Sequence, residues 1–478
     1  MGEGAETKSF YTIEETMKKQ VLFLLFLMST ALSHAEKPDT MMSNDSMMVT
    51  SADTTKAETV KKHPWLAGME IVGLNIALVG FNRIFYKDDA WSHVTIKDIK
   101  HNITHRYWWW DQDGIEINAF RHPVHGSLFY LITRANGMSV AESSLYTLGG
   151  TWMWEIFCEA EKPSINDMVY TSVGGITIGE TVWRSGKCII DMIRKGRKGS
   201  PSAPFTTSLS AGFRSFKGYG TDGLSTPYVT WNATYGDLFD EEKRGLFDNF
   251  DVSGTIVTGQ GKKFVSQTRI DNQLWSRPLI NEPAKKVVSG IYNHFDYYCA
   301  APLEKSEKES IIPDSYCYSE VGAIGPGIAY QLGEHTRWEQ QLYINGIMMG
   351  AVPEYHYHKE SRGFSFGSGY GARLYSSLTV GDWLKMGVRA QCSHLFTWDG
   401  FYEDDTSRTR DGDPSIQGET GNALTAIVAP TVEVRLMKHL SLQGSGQFMH
   451  THLNYKYHPH TSTHAWEWQV GVKYTIHN

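Results

Sequence analysis

In this 478-residue chain, 52 acidic side chains outnumber 45 basic ones, and a formal charge of −7 argues against nucleic acid as a partner. Aromatics at 13%, 45 glycines and a mean hydropathy of −0.35 exclude a bundle of membrane-spanning helices but fit a membrane β-barrel, whose apolar residues are spread over alternate positions. The length has room for two domains, or for one barrel with an appendage.

In chain order, residues 1–35 are expected to be an export signal. Met17-Lys18-Lys19 is a basic start, Val21 to Met28 an unbroken apolar run, and Ser33-His34-Ala35 supplies small residues for signal peptidase. Residues 1–16 read as an extension upstream of it. The apolar run is too short to span a bilayer, and no cysteine near the cleavage point could carry a lipid anchor. Residues 36–62, rich in Ser, Thr, Asp, Lys and Met without periodicity, read as a flexible lead.

Residues 63–200 read as helical. Leu66 to Phe85 is apolar but interrupted by Glu70, Asn75, Asn82 and Arg83, which predicts a helix buried against protein rather than a bilayer span. Ile96 to Asn102, Ser143 to Glu159 and Gly174 to Ile190 predict three more helices. Residues 187–204 become basic and then Gly/Ser/Pro-rich, closing the region. There Arg194, Lys195, Arg197 and Lys198 suit anionic lipid headgroups or a solvated linker.

From Phe205 the pattern has period two. Strands are expected to begin near Phe205, Thr226, Asn249, Phe264, Val287, Val321, Trp338, Ser368, Leu384, Leu424, Ser441 and Ala465. In the last, Trp466, Trp468, Val470, Val472, Tyr474 and Ile476 alternate with Glu467, Gln469, Gly471, Lys473 and Thr475, giving one greasy and one polar face. The connections 299–319, 352–365, 400–422 and 454–464 are long and polar, whereas Gly333–Thr336, Val380–Trp383 and Met437–Leu440 are short. Long loops outside and short turns inside are the asymmetry of bacterial outer-membrane barrels, although 237–248 and 259–262 break it. A soluble β-sandwich is the alternative. Tyr228, Trp231, Trp338, Trp383, Trp398 and Trp466 near strand ends suit membrane-interface girdles better.

The expected fold is therefore mainly β: an antiparallel outer-membrane barrel of about twelve strands preceded by plug-like or periplasmic helices. The even count places the first strand and the helices before it on the periplasmic side. Expected partners are outer-membrane lipid, the barrel-assembly machinery and a small or lipidic solute; no cofactor is called for. Cys299 and Cys317 end one polar loop, where a disulfide and two free thiols are both open, while Cys158, Cys188 and Cys392 have no metal spacing.

One series of motifs carries a family resemblance. It runs Trp108-Trp109-Trp110-Asp111, His122-Pro123-Val124-His125-Gly126-Ser127, Arg134-Ala135-Asn136-Gly137, Trp154-Glu155-Ile156-Phe157-Cys158-Glu159, Pro163-Ser164-Ile165-Asn166-Asp167 and Gly174-Gly175-Ile176-Thr177-Ile178-Gly179-Glu180. As a set it resembles the bacterial domain-of-unknown-function 3943 (DUF3943) family of Gram-negative envelope proteins, over roughly residues 65–190. The resemblance implies location and architecture; the family carries no established activity.

Within these motifs, Glu155 and Glu159 stand one helical turn apart on an apolar segment and need partners or a proton. His122, His125, Arg134 and Lys162 are near in sequence. Ser164 with Asp167 starts a helix toward Thr171, and Gly174-Gly175 and Gly179 allow close helix approach. One reading is an inert buried network of Arg134, Asn166, Asp167 and Glu180 with the two glutamates. The other is a site: Ser127 as nucleophile, His122 or His125 as base and Glu155 or Glu159 as orienter in an envelope-lipid hydrolase, or a His/carboxylate metal site. His450, His452, His458, His460 and His464, the His356/His358 pair, and the acidic Glu403-Asp404-Asp405 loop with Asp411 and Asp413 are weaker metal candidates, more simply read as wet loop positions.

Overall fold

The computed structural model describes residues 61–87, 92–104, 108, 110, 115–195, 204–218, 224–239, 245–259, 262–300, 316–353, 364–398, 420–456 and 459–476. The expected export signal, most of the lead, the acidic loop at 403–413 and His356, His358 and His458 lie outside them. The chain divides into two compact units, one of Met1–Trp108 with Val124–Trp183, the other of Trp109–Pro123 with Arg184–Asn478.

The helical elements are α1 (Pro64–Phe85), α2 (Ile96–Thr104), α3 (His122–Ala135), α4 (Val140–Phe157), α5 (Ile165–Val169) and α6 (Gly175–Lys195). Pro64 opens α1, where a missing N–H costs nothing. Ser139 caps α4 through a reciprocal box: its hydroxyl accepts from the Glu142 N–H at 3.3 Å, and the Glu142 carboxylate accepts from the Ser139 N–H at 2.8 Å. Ser164 caps α5 in the expected way, accepting from the Asp167 N–H at 3.1 Å. Gly126 of α3 lies so close to the next segment that an added Cβ would fall 1.7 Å from the Thr171 carbonyl oxygen, and one on Gly175 would fall 2.7 Å from the Gly126 Cα. Only glycine permits that approach.

The expectation for α1 needs correction. Ala67, Ile71, Leu74 and Asn75 are buried, but Trp65, Leu66, Met69, Val72, Ile76 and Ile84 on its other side are exposed. The helix is apolar all round, so sequence could not separate a covered helix from one with a bare greasy face.

Twelve antiparallel strands close into a barrel. They are β1 (Phe205–Lys217), β2 (Leu224–Tyr235), β3 (Phe250–Gly259), β4 (Lys262–Glu282), β5 (Lys285–Cys299), β6 (Cys317–Leu332), β7 (Thr336–Pro353), β8 (Phe364–Val380), β9 (Leu384–Thr397), β10 (Gly421–Met437), β11 (Leu440–Tyr455) and β12 (Thr461–Ile476). Closure is made by β1 on β12, from Thr207 opposite Ile476 to Lys217 opposite Trp466, leaving no free edge. Every strand starts within four residues of its expected position.

Period-two alternation becomes inside and outside. On β12, Trp466, Trp468, Val470, Val472, Tyr474 and Ile476 are exposed, whereas Ala465 and Glu467 are buried. Leu209, Phe213, Val229, Ile256, Leu342, Leu374, Leu424, Val428 and Leu442 continue the exposed apolar band around the wall. A closed sheet with an oily exterior and a polar interior satisfies its backbone in hydrocarbon, and the barrel is of the outer-membrane type. The short turns at 333–335, 381–383 and 438–439 share one end with the start of β1 and the end of β12; the long connections 300–316 and 398–420 lie at the other.

Candidate functional site

The lumen is filled unevenly. Toward the long-loop end, Phe216, Tyr298, Ala300, Tyr316, Tyr318, Ile427, Met449 and Ala465 form an apolar core. Cross-lumen hydrogen bonds pin it. The Tyr298 hydroxyl donates to Glu467 at 2.6 Å, and Arg214 donates to Thr226 at 3.2 Å, to Glu467 at 3.2 Å and to the Ala300 carbonyl. A disulfide joins Cys299 to Cys317 at the same end. Toward the short-turn end, the connection after β2 packs Phe239 on Val288 and Ala329. The residues in these clusters all come from the barrel and its own connections.

The stretch ahead of α3 lies elsewhere within the barrel unit. Tyr298 faces the lumen, so Tyr297 faces outward; the Phe120 ring stacks on it at 5.4 Å. Trp110 stacks on Phe366 and on Trp398, at 6.3 and 4.5 Å. Phe366 is outward too, because its neighbour Ser365 pairs with the lumenal Val352. Trp110 and Phe120 therefore rest on the outer wall.

Below the aromatic core lies a belt of charge. Asp271 accepts from Arg269 at 2.6 and 2.7 Å, from the Tyr375 hydroxyl at 3.1 Å, and stands 2.6 Å from His294 Nδ1. Arg373 donates to both Asp296 and Glu320, and the Ser393 hydroxyl donates to Glu320 at 2.5 Å. These bonds link β4, β5, β6, β8 and β9 across the interior. A small cavity of ≈ 10 Å³ opens beside the belt, lined by Gln267, Arg269, Asp296, Arg389, Gln391 and Gln447 among others. Among the described residues Arg389 makes no ion pair; Asp296, which lines the same cavity, is engaged by Arg373. The belt residues sit at alternate positions of their strands, such as Arg269 and Asp271 on β4 or Arg373 and Tyr375 on β8. That alternation was the available signal, and reading it for strand placement alone missed the belt.

The site residues expected in the helical region fall into separate groups. Arg134 pairs with Glu180 at 2.9 Å, with Glu180 wholly buried and also accepting from the Tyr130 hydroxyl at 2.9 Å. The Arg134 guanidinium stands 5.7 Å over the Trp183 ring. Glu155, Glu159 and Asp167 place one carboxylate oxygen each within 4.8 Å of the others. Around them the Ser164 N–H donates to Glu155 at 2.9 Å, Trp154 Nε1 to Glu159 at 2.6 Å and Asn166 Nδ2 to Asp167 at 3.2 Å. This trio has the hard oxygen donors that a divalent cation takes. His125 packs edge-on to Trp154 and against Phe129, each 4.8 Å between ring centres. His122 is the first residue of α3. Ser127 is fully buried, and its hydroxyl donates to the Val124 carbonyl of its own helix at 2.7 Å. The free cysteines Cys158, Cys188 and Cys392 are dispersed.

Residues 107–208 match the family model described as a domain of unknown function, DUF3943. No curated protein matches the chain. Among solved structures, the NanC porin is 7% identical, with 56% of this chain and 100% of that one covered at a TM-score of 0.25. OmpT, an outer membrane protein of Vibrio cholerae, is 5% identical over 58% and 99% at 0.22, and Omp33, an outer membrane protein of Acinetobacter baumannii, is 9% identical over 57% and 98% at 0.22.

Proposed function

We propose that the barrel binds a small anionic solute in its lumen and passes it across the outer membrane, with the charge belt as the selective element. One observation carries this reading: Arg389 faces the belt's cavity without an ion pair, whereas Arg269 and Arg373 are both held by carboxylates. A fixed cation in a confined, weakly screened space attracts an anion and repels small cations. The aromatic core near the disulfide restricts flow, so conduction in the resting state is small. An envelope-lipid hydrolase in the helical region is the lesser reading, because the Ser127 hydroxyl is engaged by Val124 within its own helix.

Single-channel recording in planar bilayers under a potassium chloride gradient tests the proposal. The native barrel is expected to give small, anion-preferring currents, and Arg389→Gln to abolish the preference while the protein still shifts mobility on heating. An unchanged reversal potential in Arg389→Gln, or a native preference for cations, contradicts the reading.

A further inference from the structure

The exposed side of α1 contains no charge between its ends. Trp65, Leu66, Met69, Val72, Ile76 and Ile84 stand on it, Trp65 with 87% of its surface bare. Three of the helix's four polar side chains are engaged by the protein. Glu70 accepts from Asn136 Nδ2 at 2.6 Å, Asn75 Nδ2 donates to the Gly150 carbonyl at 3.4 Å, and Arg83 donates to the Val94 carbonyl.

The neighbouring helix extends the same surface. Lys62 pairs with Glu142 at 2.9 Å, the Tyr146 hydroxyl donates to the Pro64 carbonyl at 3.0 Å, and Asn75 meets Gly150, so α1 and α4 run side by side in the same direction. The bare side of α4 carries Leu145, Leu148, Trp152 and Phe157. Scattered exposed apolar residues are ordinary on a soluble surface, but two adjacent helices with uncharged apolar outer stripes form a patch that water disfavours.

Two features point to lipid as the occupant. The 22 residues of α1 extend roughly 33 Å, close to the thickness of a bilayer's hydrocarbon core. Basic residues flank that length, Lys61 and Lys62 before it and Arg83 and Lys87 at its end, where headgroup phosphates would lie. We propose that the outer face of α1 and α4 is immersed in the acyl chains of the outer membrane, making this a barrel with a lipid-facing helical unit.

The test uses the full chain in phosphatidylethanolamine/phosphatidylglycerol vesicles, with Cys158, Cys188 and Cys392 replaced by alanine and the disulfide left intact. Met69→Cys, Ile76→Cys and Leu148→Cys each receive a nitroxide, with Lys100→Cys as the exposed control. Power saturation measures collision with oxygen, which concentrates in hydrocarbon, and with a water-soluble nickel chelate. The three helical positions are expected to favour oxygen over the chelate and the control to favour the chelate. Access to the chelate at Met69, Ile76 and Leu148 would mean a water-facing surface and overturn the proposal. Low access to both probes would mean cover by protein, such as a second copy, and overturn it equally.

Discussion

At the scale of single residues, the helical unit depends on a few polar contacts of very different weight. The Arg134–Glu180 pair is the heaviest: the Arg134 side chain is 12% exposed and Glu180 not at all. Removing one partner of such a pair strands a buried charge, which costs far more than the pair contributes relative to an apolar substitute. Arg134→Ala is expected to destabilise the helical unit by about 3 kcal/mol, read as loss of helical ellipticity at lower temperature while the barrel signal persists. Glu180→Gln, which keeps the Tyr130 bond without the charge, is expected to cost less.

The Glu142 cap is lighter and depends on pH. The Ser139 N–H, the Lys62 ammonium and the Ser139 hydroxyl hold its carboxyl down to about 2, from an ordinary 4.5. A carboxyl depressed on folding contributes stability in full above its unfolded value, and that contribution is lost as pH falls from 4.5 toward 2. Thermal melts of the helical signal should therefore fall across that window, and Glu142→Gln should flatten the fall. Because the Glu142 side chain is 39% exposed, solvent screening keeps the amplitude small, and Ser139→Ala is expected to cost about 1 kcal/mol.

At the scale of elements, glycine decides how the helices meet. Gly126 and Gly175 bring α3 against the turn that opens α6 so closely that a methyl group has no room. Gly126→Ala is expected to destabilise the unit by about 2 kcal/mol or more, because the clash is with backbone and cannot be relieved by a rotamer. Gly149→Ala, which meets nothing within 4 Å, is the matched control and should raise helix stability slightly. Circular dichroism melts of the two variants separate packing from propensity.

These elements also show what could be read in advance. The twelve strands were legible because each carries its own alternation, and the Ser164 cap and the Gly174-Gly175 approach were legible because local chemistry dictates them. Helix α3 was not, since His122-Pro123 reads as a break, whereas Pro123 follows closely on a π-helical turn at Ile117–Arg121. The bare face of α1 was hidden because an apolar surround gives no phase from which to read a buried side. The grouping of Arg134 with Glu180 and of Glu155 with Glu159 and Asp167 depends on tertiary crossings that sequence neighbours do not report.

At the scale of the whole molecule, the barrel's lumen is layered. Its long-loop end is an aromatic core stapled by Cys299–Cys317, and the charge belt and Arg389 cavity lie beneath it. The belt draws one or two residues from each of five strands, so no single segment advertised it.

Everything rests on a cylinder whose alternate residues face lipid and water. A cysteine scan of β12 from Trp466 to Tyr474, each position labelled with bimane in vesicles, tests this directly. Trp466, Trp468, Val470, Val472 and Tyr474 should be quenched by brominated acyl chains, and Glu467, Gln469, Gly471 and Lys473 should not. Quenching without that period of two, or quenching by aqueous iodide at the even-numbered positions, would contradict the account.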